Sequence, residues 1–238
     1  MGFAPELGCF SKAFIEPLLE QGYRVHMLSY RGHGESEGRC RIYHWRSSDY
    51  VSDVVSILRE LSEPAIVVGH SLGSAIAQLL IRDRCSLAAV VLMSPVPPKG
   101  LSTISLRMLW LDLIANQKLA AAFTVGVRSV LDRVVARLLF WKTEETDDVR
   151  RFMTRCSDES PWLALDLLGF PRIATLEHDP DLKPPIVIVS GDDDQLIRPR
   201  DATESAWLYQ TDVHWVSGGS HMLMYDAGVQ SVSLWIAH

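Results

Sequence analysis

A serine between two glycines, a run of three aspartates and a histidine behind a glycine pair follow one another along this chain, at Gly69-His70-Ser71-Leu72-Gly73, Asp192-Asp193-Asp194 and Gly218-Gly219-Ser220-His221. Serine, acid and histidine in that order can carry out acyl transfer. A serine hydroxyl is a poor nucleophile until a neighbouring base takes its proton, and an imidazole does so only when a carboxylate holds its other nitrogen. Ser71 is the candidate nucleophile, His221 the candidate base and one of the three aspartates the candidate acid.

The serine motif alone is weak. With Gly and Ser at about 7% each, such a string arises by chance in roughly one chain of this length in twelve. Its setting strengthens it, because it lies between the apolar run Ala65-Ile66-Val67-Val68 and the helix-forming run Ala75-Ile76-Ala77-Gln78-Leu79-Leu80-Ile81. A serine on a sharp strand-to-helix turn takes strained backbone angles that push its hydroxyl into the open, and the flanking glycines leave room for strand and helix to approach. The helix also turns its unpaired N–H groups toward the serine, so the N–H of Leu72 is a candidate oxyanion donor.

Asp194 leads as the acid because it follows Gly191 by three residues and stands just before Leu196-Ile197; Asp193 is the alternative. His214 falls within a strand and His178 in a polar stretch, which makes both structural or surface residues, and His70 and His33 are packing or supporting candidates. The sequence LMSPVPP at 92–98 offers no carboxylate in place of the aspartates.

The elements that must position these groups follow from hydropathy. Apolar, β-rich runs at 23–30, 64–68, 87–94, 184–190 and 213–217 mostly precede segments of helical character. Strands alternating with helices predict a mainly parallel sheet covered by helices on both faces, and uninterrupted runs such as IVIVS suit strands buried on both sides. The rhythm breaks over 97–170, where Ile104, Met108, Leu111 and Leu119, then Val127, Val130, Leu131, Val134, Val135 and Leu138, recur at helical intervals. The predicted organisation is a first core part at 1–96, a helical cap insertion at 97–170 and a second core part at 171–238. Glu144, Glu145, Asp147 and Asp148 read as a solvated helix start or connection.

Composition limits the function classes. The 238 residues are 47% hydrophobic and 22% charged, enough for a buried core. A net charge of -6 argues against nucleic acid or anionic lipid as the main partner and favours a small neutral or lipid-like ligand. Cys9, Cys40, Cys85 and Cys156 form no CxxC pair and no metal-ligand spacing, so free thiols in a reducing compartment are expected, with no metal or cofactor. No apolar run has the length of a membrane span and the first residues lack a basic, apolar leader pattern, so the expected location is cytoplasmic, without stable membrane insertion.

Taken together, YRGHGESEG, GHSLG, SPVPPKGL, GDDDQLIRP and GGSHMLMYD resemble the α/β-hydrolase superfamily, in particular its monoacylglycerol-lipase-like and lysophospholipase-like branch, over essentially the whole chain. The resemblance implies a cap inserted after the sixth strand of the family's scheme, with Ser71 as nucleophile, Asp194 as acid, His221 as base and Leu72 as an oxyanion donor. It also implies carboxylic-ester hydrolysis without a cofactor. Thioesterase, amidase, carbon–carbon hydrolase and perhydrolase chemistry use the same three groups, and a non-catalytic binding protein of the same fold is the alternative from another class. Met1-Gly2 sits where the family has His-Gly, which implies that the initial strands are missing from this sequence and that Phe3 supplies the second oxyanion N–H. Two smaller departures are Ser74, where relatives often have glycine, and Ser29, where they often have aspartate.

Overall fold

The computed structural model describes residues 10–102, 139–140, 159–168, 184–226 and 229–237. Within these, four strands form one sheet: β1 (Ile66–His70), β2 (Ala89–Met93), β3 (Ile186–Gly191) and β4 (Val213–Val216). All three pairings are parallel, and the spatial order is that of the sequence. Parallel neighbours need crossovers, and helices supply two of them: α3 (Leu72–Arg82) between β1 and β2, and α5 (Pro199–Tyr209) between β3 and β4. The other described helices are α1 (Lys12–Glu20), α2 (Ser47–Glu60), α4 (Pro161–Leu167) and α6 (Val229–Ala237).

Alternate side chains of the strands enter opposite cores. Val91, Met93 and Val189 pack with Phe14, Ile15 and Leu18 of α1 and Val229 and Val232 of α6. Val90, Leu92, Ile186 and Ile188 pack on the other face with Ala77 of α3 and Ala206, Leu208 and Tyr209 of α5. Burial on both sides removes the polar alternation from these strands, as the apolar runs predict, and each fully buried aliphatic side chain contributes about 1.5–3 kcal/mol.

The run at 23–30 departs from the strand expectation. It forms no ladder with any described residue. Val25 and Met27 pack against the α1 and α6 core, whereas Arg24, His26 and Leu28 are exposed. Exposure alternates along the run, as on a half-buried strand, but a strand also needs a hydrogen-bonding neighbour, and no described residue provides one.

Much of the helical insertion expected over 97–170 lies outside the described residues, including Glu144, Glu145, Asp147 and Asp148. Its described segment, Glu159 to Leu168, is held on the core by two carboxylates, the buried Asp166 and the half-buried Glu159. Asp166 accepts from the backbone N–H of Ser47 at 3.0 Å and its hydroxyl at 2.9 Å, and Arg46 approaches the other oxygen at 3.3 Å. Helix α2 begins after Arg46, a residue with no side-chain acceptor, so Asp166 satisfies a free N–H in its first turn from another element. Glu159 accepts from the hydroxyl of Tyr50 at 2.8 Å and the N–H of Ser160 at 2.9 Å. Burial, reinforced by the Glu159 charge, pushes the Tyr50 phenol far above its ordinary range and keeps it a donor.

Candidate active site

Register places the chemistry. His70 pairs with Met93, Met93 with Val189, and Gly191 with Val216, so the strands end together and their outgoing turns share one edge of the sheet. Ser71 follows β1, Asp194 lies three residues beyond β3, and His221 lies five beyond β4.

Ser71 has φ 50° and ψ −113°, a conformation that costs about 1–3 kcal/mol and persists only where its surroundings impose it. Here they do. Its N–H donates to the Met93 carbonyl at 3.0 Å, and its own carbonyl accepts from the N–H groups of Ser74 and Ala75 and from the Ser74 hydroxyl at 2.5 Å. Ser74 is wholly buried, and its oxygen also accepts from the N–H of Val96 at 2.9 Å, tying the turn after β1 to the chain leaving β2. The departure from glycine at this position is therefore a cross-link. Of the flanking glycines, Gly69 is the one the close approach requires: a Cβ there would lie 2.4 Å from the Gly73 carbonyl oxygen. A Cβ on Gly73 would meet only the Tyr30 hydroxyl, at 3.8 Å.

The structure brings Ser71, His221 and Asp194 into one hydrogen-bonded chain. Ser71 Oγ lies 3.0 Å from His221 Nε2, and His221 Nδ1 lies 2.9 Å from Asp194 Oδ2. His221 and Asp194 are each only 1% exposed. The second oxygen of Asp194 accepts from the N–H groups of Leu196 and Ile197, both at 2.8 Å, which fixes the carboxylate plane. Of the neighbouring aspartates, the Asp192 carboxylate accepts from the N–H of Gly218 at 2.6 Å, and the backbone N–H of Asp193 donates to the Gly219 carbonyl at 3.1 Å.

Gly191 and Gly219 are required by the close approach of two backbones. A Cβ on Gly191 would stand 2.1 Å from the Gly219 oxygen, and one on Gly219 would stand 2.9 Å from the Val216 oxygen. The acid turn and the histidine loop touch backbone to backbone, which lets two short side chains meet. The histidine loop is closed by Ser220, whose N–H and hydroxyl donate to the two oxygens of Asp226 at 2.6 and 2.8 Å. No local pattern announces this pair; the six-residue return around a turn is its only trace in the sequence.

Of the remaining candidates, the N–H of Leu72 opens α3 beside Ser71, among the first-turn donors that a helical ladder leaves unpaired. Phe3 lies outside the described residues, as does His178. The His214 ring lies tilted against that of Trp235, and His33 contacts the Tyr50 hydroxyl at 2.9 Å within the Glu159 cluster. The RGHG segment is a tight turn, with the Gly32 N–H donating to the Glu37 carbonyl and the Arg31 guanidinium held by Asp53. Of the large apolar residues in the 97–170 insertion, Phe140 is buried in the α1 and α6 core, while Trp162 is 44% exposed beneath the Arg46 guanidinium. Leu109, Trp110, Leu113 and Trp141 lie outside the described residues.

Among the described residues no group of three or more His, Cys, Asp or Glu side chains could hold a metal ion, and no helix is long and apolar enough to cross a membrane.

Comparison with solved structures gives likeness across nearly the whole chain at low identity. A monoacylglycerol lipase from Paleococcus ferrophilus is 18% identical with a TM-score of 0.66, covering 95% of this chain and 88% of that one. A thermophilic esterase from Thermogutta terrifontis is 17% identical with a TM-score of 0.69, covering 99% and 86%. Polyneuridine aldehyde esterase is 17% identical with a TM-score of 0.65, covering 98% and 96%. No curated protein matches the chain. At such identities these likenesses speak to the fold, a parallel sheet flanked by helices. The sequence profile of the alpha/beta hydrolase family matches residues 4–232, and the chain belongs to that family.

Proposed function

We propose that the protein is a serine hydrolase that cleaves a carboxylic ester, lipid-like or small and aromatic, through an acyl-enzyme intermediate. The observation that carries the reading is the hydrogen-bonded chain from Ser71 Oγ through the His221 ring to Asp194, with Ser71 held on a strained turn.

In the proposed cycle Ser71 Oγ attacks the ester carbonyl carbon as its proton passes to His221 Nε2. Asp194 keeps the other ring proton on Nδ1 and stabilises the imidazolium. Negative charge gathers on the former carbonyl oxygen, where the N–H of Leu72 meets it, with the N–H of Phe3 as second donor. The tetrahedral adduct collapses, the alkoxide leaves with the proton from His221, and the acyl group stays on Ser71. Water then attacks the acyl carbon, gives a proton to His221, and the acid departs as Ser71 Oγ regains its hydrogen.

A fluorophosphonate probe tests the nucleophile. Wild type is expected to be labelled and Ser71→Ala is not; equal labelling of the two sinks the assignment, and a folded but unlabelled wild type favours a binding protein of this fold. Turnover of matched p-nitrophenyl esters, thioesters and anilides then separates esterase from thioesterase and amidase chemistry.

A further inference from the structure

His70 precedes the candidate nucleophile, yet its side chain addresses the candidate base. Its Nε2 lies 2.8 Å from the backbone carbonyl oxygen of His221, and the two imidazole rings stand 5.0 Å apart. A carbonyl only accepts, so this contact fixes the tautomer: Nε2 of His70 carries the proton and donates it. The Ser94 hydroxyl, from the chain end of β2, donates to the same carbonyl at 3.3 Å. On the other edge of that peptide group, the N–H of Met222 donates to the Leu139 carbonyl and to Ser220 Oγ, both at 3.2 Å. The peptide leaving His221 is thus gripped by both its polar groups.

We propose that His70 is a positioning residue for the reaction: its Nε2–H, donated to the His221 carbonyl, sets the peptide from which the general base projects toward Ser71. This inference rests on His221 being that base. The donor suits its place because it brings no charge. Burial, together with the neighbouring His221, lowers the His70 pKa to about 3, so the ring is neutral wherever a histidine base can work and does not oppose proton uptake 5.0 Å away. A lysine or arginine in its place would donate as well but would repel the imidazolium that forms at His221.

The test compares His70→Gln, His70→Asn and His70→Leu. The terminal nitrogen of glutamine overlays histidine Nε2 and can reach the carbonyl, that of asparagine overlays Nδ1 and falls short, and leucine has no donor. On p-nitrophenyl acetate, His70→Leu and His70→Asn are expected to lose roughly 10- to 100-fold in kcat with little change in KM, as misplacement of a reacting group does. His70→Gln is expected to recover most of the loss. A His70→Leu enzyme as active as wild type overturns the proposal, and so does His70→Gln no better than His70→Asn; if the leucine variant does not fold, the amide pair carries the comparison. A readout without turnover separates this from failure of the hydrolase reading. The low-field proton resonance of the His221 Nδ1–H, observed in the Ser71→Ala background, is expected to persist in His70→Gln and to broaden in His70→Asn. Equal resonances in the two overturn the positioning role whether or not wild type takes a fluorophosphonate.

Discussion

The α-carbon of Gly191 and the carbonyl of Gly219 are packed so closely that a methyl group on Gly191 would stand 2.1 Å from the Gly219 oxygen. This contact joins the turn bearing Asp194 to the loop bearing His221. Gly191→Ala must push the two apart, because the obstacle is backbone rather than the end of a flexible side chain. The expected result is a loss of about 1–3 kcal/mol in urea denaturation and a fall of roughly 100-fold in kcat/KM. Gly73→Ala, whose Cβ would meet only the Tyr30 hydroxyl at ordinary contact distance, is the control; equal damage at both positions would show that the contact is not what matters.

Asp194 is the aspartate whose carboxylate meets His221 Nδ1, at 2.9 Å. Asp194→Asn keeps the shape but invites the wrong imidazole tautomer, for a loss of about 10,000-fold in kcat. Asp193→Asn and Asp192→Asn are expected to stay within a fewfold of wild type. Ester turnover by the three purified variants decides, and a deeper loss at Asp193 refutes the choice of acid.

Ser74→Ala removes the acceptor of the buried Val96 N–H and the donor to the Ser71 carbonyl. An orphaned buried donor costs about 1–3 kcal/mol. The loss is expected in the denaturation midpoint, with slower fluorophosphonate labelling of Ser71 as the turn relaxes. Labelling at the wild-type rate would show that Ser74 supports the fold and not the nucleophile's pose.

Stability should depend on acid through His70. Its pKa is lowered in the fold to about 3, against about 6.5 for an unperturbed histidine, because burial and His221 disfavour its charge. Between those values the unfolded chain binds the additional proton, so stability rises with pH and is lost as pH falls through the window, by up to about 1.4 kcal/mol per pH unit. His70→Gln has no such proton, and its stability curve is expected to be flatter there by one proton. Parallel curves for the two proteins would contradict a neutral His70.

The turn bearing Ser71 is legible in the sequence because strand, sharp turn and helix are all local to residues 65–82. The sheet was legible for a related reason: burial on both faces leaves uninterrupted apolar runs. Choosing among Asp192, Asp193 and Asp194 was harder, since it depends on which side chain the turn aims inward. The support around the site was hidden by distance along the chain. Asp166 reaches the start of α2 across 119 residues, and Glu159 reaches Tyr50 across 109, with no motif at either end. Residues 23–30 show the reverse failure, where an apolar run reads as a strand but says nothing about a neighbour to pair with.

The three groups of the hydrogen-bonded chain leave the ends of three different strands, with the β1–β2, β2–β3 and β3–β4 pairings between the first and the last. No contiguous stretch holds the assembled relay, and contacts between such distant parts of a polypeptide form slowly. During refolding, recovery of Ser71 reactivity should therefore lag behind the return of helical ellipticity, making the enzyme's own chemistry a clock for the last strand to dock.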